Sequence, residues 1–244
     1  MSEDHPWLVL RLEAPLLAFG GVTTDQIGII TDFPAASMLT GLLANALGWQ
    51  RTEWQAHQAL QDRLIFAARR DRENSAGVLT DTQNARLEKN DRGWTTYGTP
   101  EGRAGASYSA PHRRLRDYHA DACVTVALRL EPATGSPDLD AIAAALDRPA
   151  RPLFLGRKPC LPSCPLSAGT VQAPSAYQAL QRIPAVDQQR GPLRALWPEH
   201  EGPTDGILVG RIVALPDLRN WKTGLHGGTR LVVEGTVEAE GVTA

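Results

Sequence analysis

The chain has 244 residues, 42% of them hydrophobic, with a formal net charge of −2. That length can bury a substantial core in one large domain or two small ones, and the slight acidity excludes a protein that coats DNA by bulk positive charge. No apolar run approaches the roughly 20 residues of a membrane span, the acidic start Met1–Pro6 is unlike a secretory signal, and three cysteines provide no disulfide framework, so a cytoplasmic protein without a membrane partner is expected.

Trp7–Leu12 is short, apolar and ended by Pro15, the pattern of a strand. Ala18–Asp32 is rich in Gly and Thr and reads as a loop. Phe33-Pro34 opens a helix whose apolar face is Met38, Leu39, Leu42, Leu43, Ala46 and Leu47, with Gly48 as its stop. A second short helix is predicted over Thr52–Leu60, and a buried strand over Arg63–Arg69. From Asp71 to Tyr118 periodicity fades, and a stretch that long without clear elements is usually functional or mobile.

Alternation returns at Ala122, Val124, Val126, Leu128 and Leu130, which predicts a strand. A helix follows from Pro137 and Asp138 to Leu146, with Leu139, Ile142, Ala143 and Leu146 inward, and Pro152–Leu155 is a brief strand. The order β-α-β, insertion, β-α-β is that of an α+β, ferredoxin-like domain with a split βαβ arrangement. Such a domain covers one sheet face with helices and leaves the other available for bases, but the stacking aromatics of that mode are not evident. Beyond Gly156, prolines suppress regular structure, and only Gly206–Val213 and Thr229–Gly235 read as strands. The predicted division is residues 1–156, with an insertion at about 71–118, followed by a Pro-rich basic loop and small β-containing C-terminal lobe over 157–244.

Charge is concentrated in two places. From Arg148 to Val186 there is no carboxylate, yet Arg148, Arg151, Arg157, Lys158 and Arg182 lie there. From Gly102 to Arg116 there is again no acid, with Arg103, His112, Arg113, Arg114 and Arg116. Arginine can bridge phosphate bidentately and also stack on a base. Trp94, Tyr97 and Tyr108 interleave with these arginines, a pattern suited to single-stranded nucleic acid. A solvated basic loop is the bland alternative. Cys160 and Cys164 have tolerable zinc-knuckle spacing, but no second pair of ligands stands nearby, so neither metal nor another cofactor is expected. Trp221–Gly228 reads as a mobile polar loop with possible RNA contact.

Taken in order, Leu10–Pro15 with Phe19-Gly20, the Phe33-Pro34 helix through Gly48, Leu115–Tyr118, and Leu153–Cys160 followed by Pro165-Leu166 resemble the CasD family. This is the subunit of type I-E CRISPR Cascade that holds the 5′ handle of crRNA. The resemblance runs from Leu8 to about Pro174. It implies a RAMP-type ferredoxin-like domain with a β-hairpin thumb in the 71–118 insertion. It also implies assembly with the backbone-subunit filament, which this subunit caps, and with the large PAM-reading subunit, and engagement of target DNA through the assembled complex.

The implied RNA contacts are Ser37, Arg103, Tyr108, His112, Arg113, Arg114, Arg116, Tyr118, Arg148, Arg151, Arg157 and Lys158. The chain departs from the family where Phe19-Gly20 replaces a tryptophan-glycine pair. It departs again where Pro34–Met38 lacks the basic residue common at that helix start; backbone amides there could still face an anion. His112, Tyr118, His119 and Lys158 could instead equip a metal-independent endoribonuclease, as in type I-C relatives. A non-catalytic RNA-binding subunit is the favoured expectation, with that nuclease and a protein–protein adaptor as alternatives.

Overall fold

The computed structural model describes residues 3–21, 26–74, 77–85, 92–94, 100–102, 112–188 and 191–240. Strand β1 (His5–Leu17) is buried on both faces over Trp7–Leu10 and then alternates, with Leu10, Leu12 and Ala14 buried. After the two-residue strand β2 (Ile27–Gly28), α1 (Ala36–Ala46) seats Leu39 and Leu43 in the core. Helix α2 (Trp54–Arg63) runs directly into β3 (Leu64–Arg72). In the insertion, β4 (Val78–Ala85) pairs antiparallel with the first part of β7 (His112–Leu130), and β5 (Arg92–Trp94) pairs with β6 (Pro100–Gly102). Helix α3 (Leu139–Asp147) starts at Asp138, whose carboxylate accepts from the Ala141 amide at 2.8 Å.

The strand expected at Pro152–Leu155 is not one. The Leu155 amide donates to the Cys160 carbonyl (2.7 Å) and its own carbonyl accepts from Ala18 (3.2 Å), so a tight turn uses the backbone groups a ladder would need. The strand beside β1 is instead β8 (Ser167–Ala173), a polar edge strand in which only Ala173 is fully buried. Regular structure also continues further than the prolines suggest, with α4 (Ala176–Arg182) and β9 (Pro192–Pro198) before β10 (Val209–Arg219) and β11 (His226–Glu238). The prolines of β9 sit at its ends, where a missing N–H matters least.

The sheet order is β10-β11-β9-β3-β7-β1-β8, with β2 and β4 also pairing to β7. It is a mixed α/β architecture with one large, mainly antiparallel sheet, and strands from both sides of residue 156 belong to it. One core lies under α1 and α3. The second, around Trp7, Tyr177 and Trp197, lies under α4. The face that sequence reasoning left available for bases is therefore covered by α4 over this region.

Two buried arginine–carboxylate pairs fasten the chain after 156 to the sheet. Arg69 and Asp71 are both fully buried and bonded at 2.6 Å, and Arg69 also donates to the Leu180, Ile183 and Pro184 carbonyls at the C-terminal end of α4 and just after it. Arg129 pairs with Glu201 at 2.6 Å, and the second Glu201 oxygen accepts from Ala176, the first residue of α4. Both ends of a short helix are thus satisfied by side chains from elsewhere.

Candidate nucleic-acid interface

β7 runs past the central sheet, with β4 on one side and β2 on the other: Arg116 lies opposite both Asp81 and Gly28. Strand alternation puts Arg114, Arg116 and Tyr118 on one face and Arg113, Leu115 and Asp117 on the other. Tyr118 is buried, whereas Arg113 and Arg114 are exposed. The Asp117 carboxylate accepts from Thr80 at 2.7 Å.

The turn after Leu155 brings Arg157 against this strand. Its guanidinium donates to the Asp117 carbonyl (2.7 Å) and the Gly28 carbonyl (2.8 Å), and lies 4.8 Å over the Tyr118 ring. Gly28 permits the approach: a Cβ there would meet Arg116 Nη1 at 2.8 Å and Arg157 Nη2 at 3.0 Å. Two guanidinium groups thus converge on one small residue. Gly156 shapes the turn, with φ +96° and packing against Ala18 so close that a Cβ would fall 1.8 Å from its carbonyl oxygen. Lys158 is exposed at the tip and has no partner among the described residues.

The expected contacts therefore separate. Arg116 and Arg157 are brought together above the buried Tyr118, with exposed Arg114 on the same strand face, exposed Lys158 next to Arg157 in the chain, and Arg113 on the far face of the strand. Arg151 is elsewhere: it donates to the Trp49 (2.9 Å) and Gly48 (2.7 Å) carbonyls and so caps α1 at its negative end. Arg148 is the exposed residue that ends α3, and Arg182 is bound to Asp4 at 3.0 Å. Arg103 and Tyr108 lie outside the described residues, as does the side chain of His112, whose backbone opens β7.

At the start of α1, Ser37 is part-exposed, but the anion at this helix start is supplied from within. The Asp217 carboxylate of β10 accepts from the Ala36 amide at 2.9 Å and is held by Arg230 at 2.8 Å. Arg230 in turn lies 4.3 Å over the Phe66 ring. Sequence reasoning missed this cap because Asp217 is 181 residues from Ala36.

His119 is not presented for chemistry. It is buried, its Nε2 donates to the Thr31 carbonyl at 2.9 Å, and Arg70 stands 3.4 Å from Nδ1. Burial, with help from the Arg70 charge, pushes its pKa below the ordinary histidine value despite the Thr31 bond. Arg70 and Arg194 meet Asp32 and Glu73 beside it. Burial opposes ionisation of Asp32, yet Arg194 and Arg70 hold its pKa below the usual carboxylate value. Cys160 is fully buried under the turn, and Cys164 Sγ faces Glu13 at 3.8 Å. Burial raises both thiols, and in neighbouring β7 burial and Asp71 push Cys123 up to about 12.

No helix among the described residues is long and apolar enough to cross a membrane. The family model described as CRISPR-associated protein (Cas_Cas5) matches residues 7–233. The CRISPR system Cascade subunit CasD of Escherichia coli (strain K12) is 32% identical over 174 residues, covering 71% of this chain and 75% of that protein. A chain of a CRISPR RNA-guided surveillance complex superposes with a TM-score of 0.68 at 23% identity, over 96% of this chain and 90% of the other. A second solved Cas protein gives 0.59 at 23% identity, over 95% of each. At those identities the superpositions bear on the fold alone, whereas the family match spans nearly the whole sequence. The chain belongs to the CRISPR-associated Cas_Cas5 family.

Proposed function

We propose that this chain is a non-catalytic crRNA-binding subunit of a type I-E Cascade complex, gripping the 5′ handle and capping the backbone filament. The observation that carries the reading is the Arg157–Tyr118 stack with Arg116 beside it at Gly28, Arg114 exposed further along the same strand and Lys158 exposed next to Arg157. Phosphate neutralisation would dominate affinity, with local pockets reading nucleotides. In this reading β1-α1-β3-β7-α3-β8 is a ferredoxin-like (RAMP) core, supported by the sheet neighbours β3-β7-β1-β8. The β4–β7 ladder with β5 and β6 is the base of the thumb. Residues 1–156 carry most of that core, and 157–244 carry the basic turn, β8 and the C-terminal strands. The partners are the backbone subunit, the large PAM-reading subunit and, through the complex, target DNA.

A binding role is also favoured over cleavage by the state of His119, whose two ring nitrogens face Thr31 and Arg70 rather than solvent. The test uses the full-length chain with labelled single-stranded CRISPR-repeat RNA. Changing Arg114, Arg116 and Lys158 together to Ala should weaken binding and lower the salt dependence of log K by about 2, at about 0.7 per lost phosphate contact. Unchanged affinity and slope would reject the assignment. A discrete cut of the repeat in EDTA would replace it with an endoribonuclease.

A further inference from the structure

Two adjoining cavities of about 490 and 290 Å³ run along the outer side of α1 and share Gly41, Asn45, Arg219 and Trp221. One end is formed by Arg157, Gly156 and Ser37, and therefore begins at the basic surface described above. The other end holds Arg51, Arg151 and Trp49. Four arginines line this continuous groove, and no carboxylate appears in its described lining.

The far end is electrostatically unfinished. Arg51 Nη2 and Arg219 Nη2 both lie within 3.6 Å of one point beside Gly224, so two cations share a small volume. Neither has an acidic partner among the described residues, and Arg219 Nε is buried without a hydrogen-bond partner. Like charges held this close favour a bridging anion. Arg219 cannot simply swing away, because it lies 5.1 Å over the Trp221 ring. Trp221 is itself fixed by bonds to Gln58 (3.2 Å) and Gln61 (3.0 Å), with His57 at 4.7 Å. The larger cavity, which includes the Arg157 end, also has Met38, Leu42 and Phe154 on its walls. That combination of apolar walls and few polar groups suits a flat base.

We infer that this groove is a second RNA-binding track, in which Arg51 and Arg219 clamp one backbone phosphate and the 490 Å³ cavity takes the neighbouring base. It rests on the RNA-binding reading above and extends it across α1 to the β10–β11 turn. Trp221, the first residue of the Trp221–Gly228 segment, is thereby a wall of the site.

The test uses the full-length chain and labelled single-stranded CRISPR-repeat RNA. Arg51 is exposed, so Arg51→Ala threatens no packing; it should weaken binding roughly three- to tenfold and lower the salt slope by about 0.7. Arg51→Lys should keep most of the slope, and Ser37→Phe, which fills the cavity, should weaken binding with the salt slope unchanged. If Arg51→Ala binds as wild type while the Arg114/Arg116/Lys158 variant is impaired, this track is refuted and the binding reading stands. If both variants bind as wild type, the binding reading itself has failed. Weaker binding that Arg51→Lys does not restore would overturn the phosphate clamp.

Discussion

Gly156→Ala should damage the basic turn through two separable effects. The first is conformational: φ is +96°, a region costly for any residue with a Cβ. Gly169 in β8 has nearly the same φ, +98°, but open space around it, so Gly169→Ala measures this strain alone, about 1–3 kcal/mol. The second effect belongs to Gly156. A Cβ there would stand 1.8 Å from the Ala18 oxygen and 2.7 Å from its carbonyl carbon, both backbone atoms at the end of β1. The turn must withdraw by more than about 1 Å to reach van der Waals distance. Withdrawal breaks the Ala18–Leu155 bond and disturbs the Arg157 bonds to Asp117 and Gly28. Each charge-assisted bond contributes about 1.5–3 kcal/mol, so losing both would cost about 3–6 kcal/mol. At about 2–4 °C per kcal/mol for a chain this size, Gly156→Ala should melt at least about 5 °C below Gly169→Ala. Thermal melts of both variants, with RNA titrations below their transitions, provide the assay. Melting points within about 2 °C of each other would refute the packing argument. Native RNA affinity in a destabilised Gly156→Ala would refute the claim that this turn positions Arg157.

Two further perturbations address the supports of the site. Asp217→Ala removes the α1 cap and leaves Arg230 without its carboxylate; loss of a buried partner should cost about 3–5 kcal/mol, read from denaturant midpoints, and a cost below about 1 kcal/mol would deny Asp217 this role. His119 has a folded pKa below the unfolded value near 6.5, so below that pH the unfolded chain binds more protons and stability falls as pH drops from about 7 toward 5. The facing groups Arg70 and Asp32 keep their charges across this window, so His119→Gln should flatten the urea-midpoint change between pH 7 and 5.5; an unchanged slope would place the titration elsewhere.

Local pattern made several elements readable in advance, and long-range pairing hid others. β7 and α1 carry strong periodicity, and their cores fell where apolar spacing put them. β8 carried no such signal, because an edge strand of Ser, Ala, Gly and Thr buries little and is held mainly by pairing with β1. α4 was hidden for a related reason: seven residues make a marginal helix alone, and its ends are satisfied by Glu201 and Arg69. At the site, the charge pattern singled out Arg157 and Lys158, but composition could not separate either from Arg151. That difference lies in which carbonyls are near: Gly48 and Trp49 just past α1 for Arg151, Gly28 and Asp117 for Arg157.

The same comparison clarifies how an acidic chain can present a basic surface. Several of the described carboxylates are committed: Asp71 and Glu201 neutralise buried arginines, Asp217 holds Arg230 and an α1 amide, and Asp32 and Glu73 face Arg70 and Arg194. Arg129–Glu201 and the pairs of Arg194 with Asp32 and Glu73 join the chain before residue 156 to the chain beyond it. Among the described residues, several cations without a carboxylate partner lie on the far end of β7, the 156–160 turn and the α1 groove. Arg157 is the pivot of that arrangement. Its bonds go to carbonyls and an aromatic face, which fix its position without cancelling its charge. An ion pair there would have fixed it equally well and silenced it. Replacing Gly28 by Asp would impose such pairing on Arg116 and Arg157 together and should abolish the local salt dependence, whereas Gly28→Asn, of similar size, should retain more of it. Equal salt slopes for the two variants would show that crowding, not charge, governs this surface.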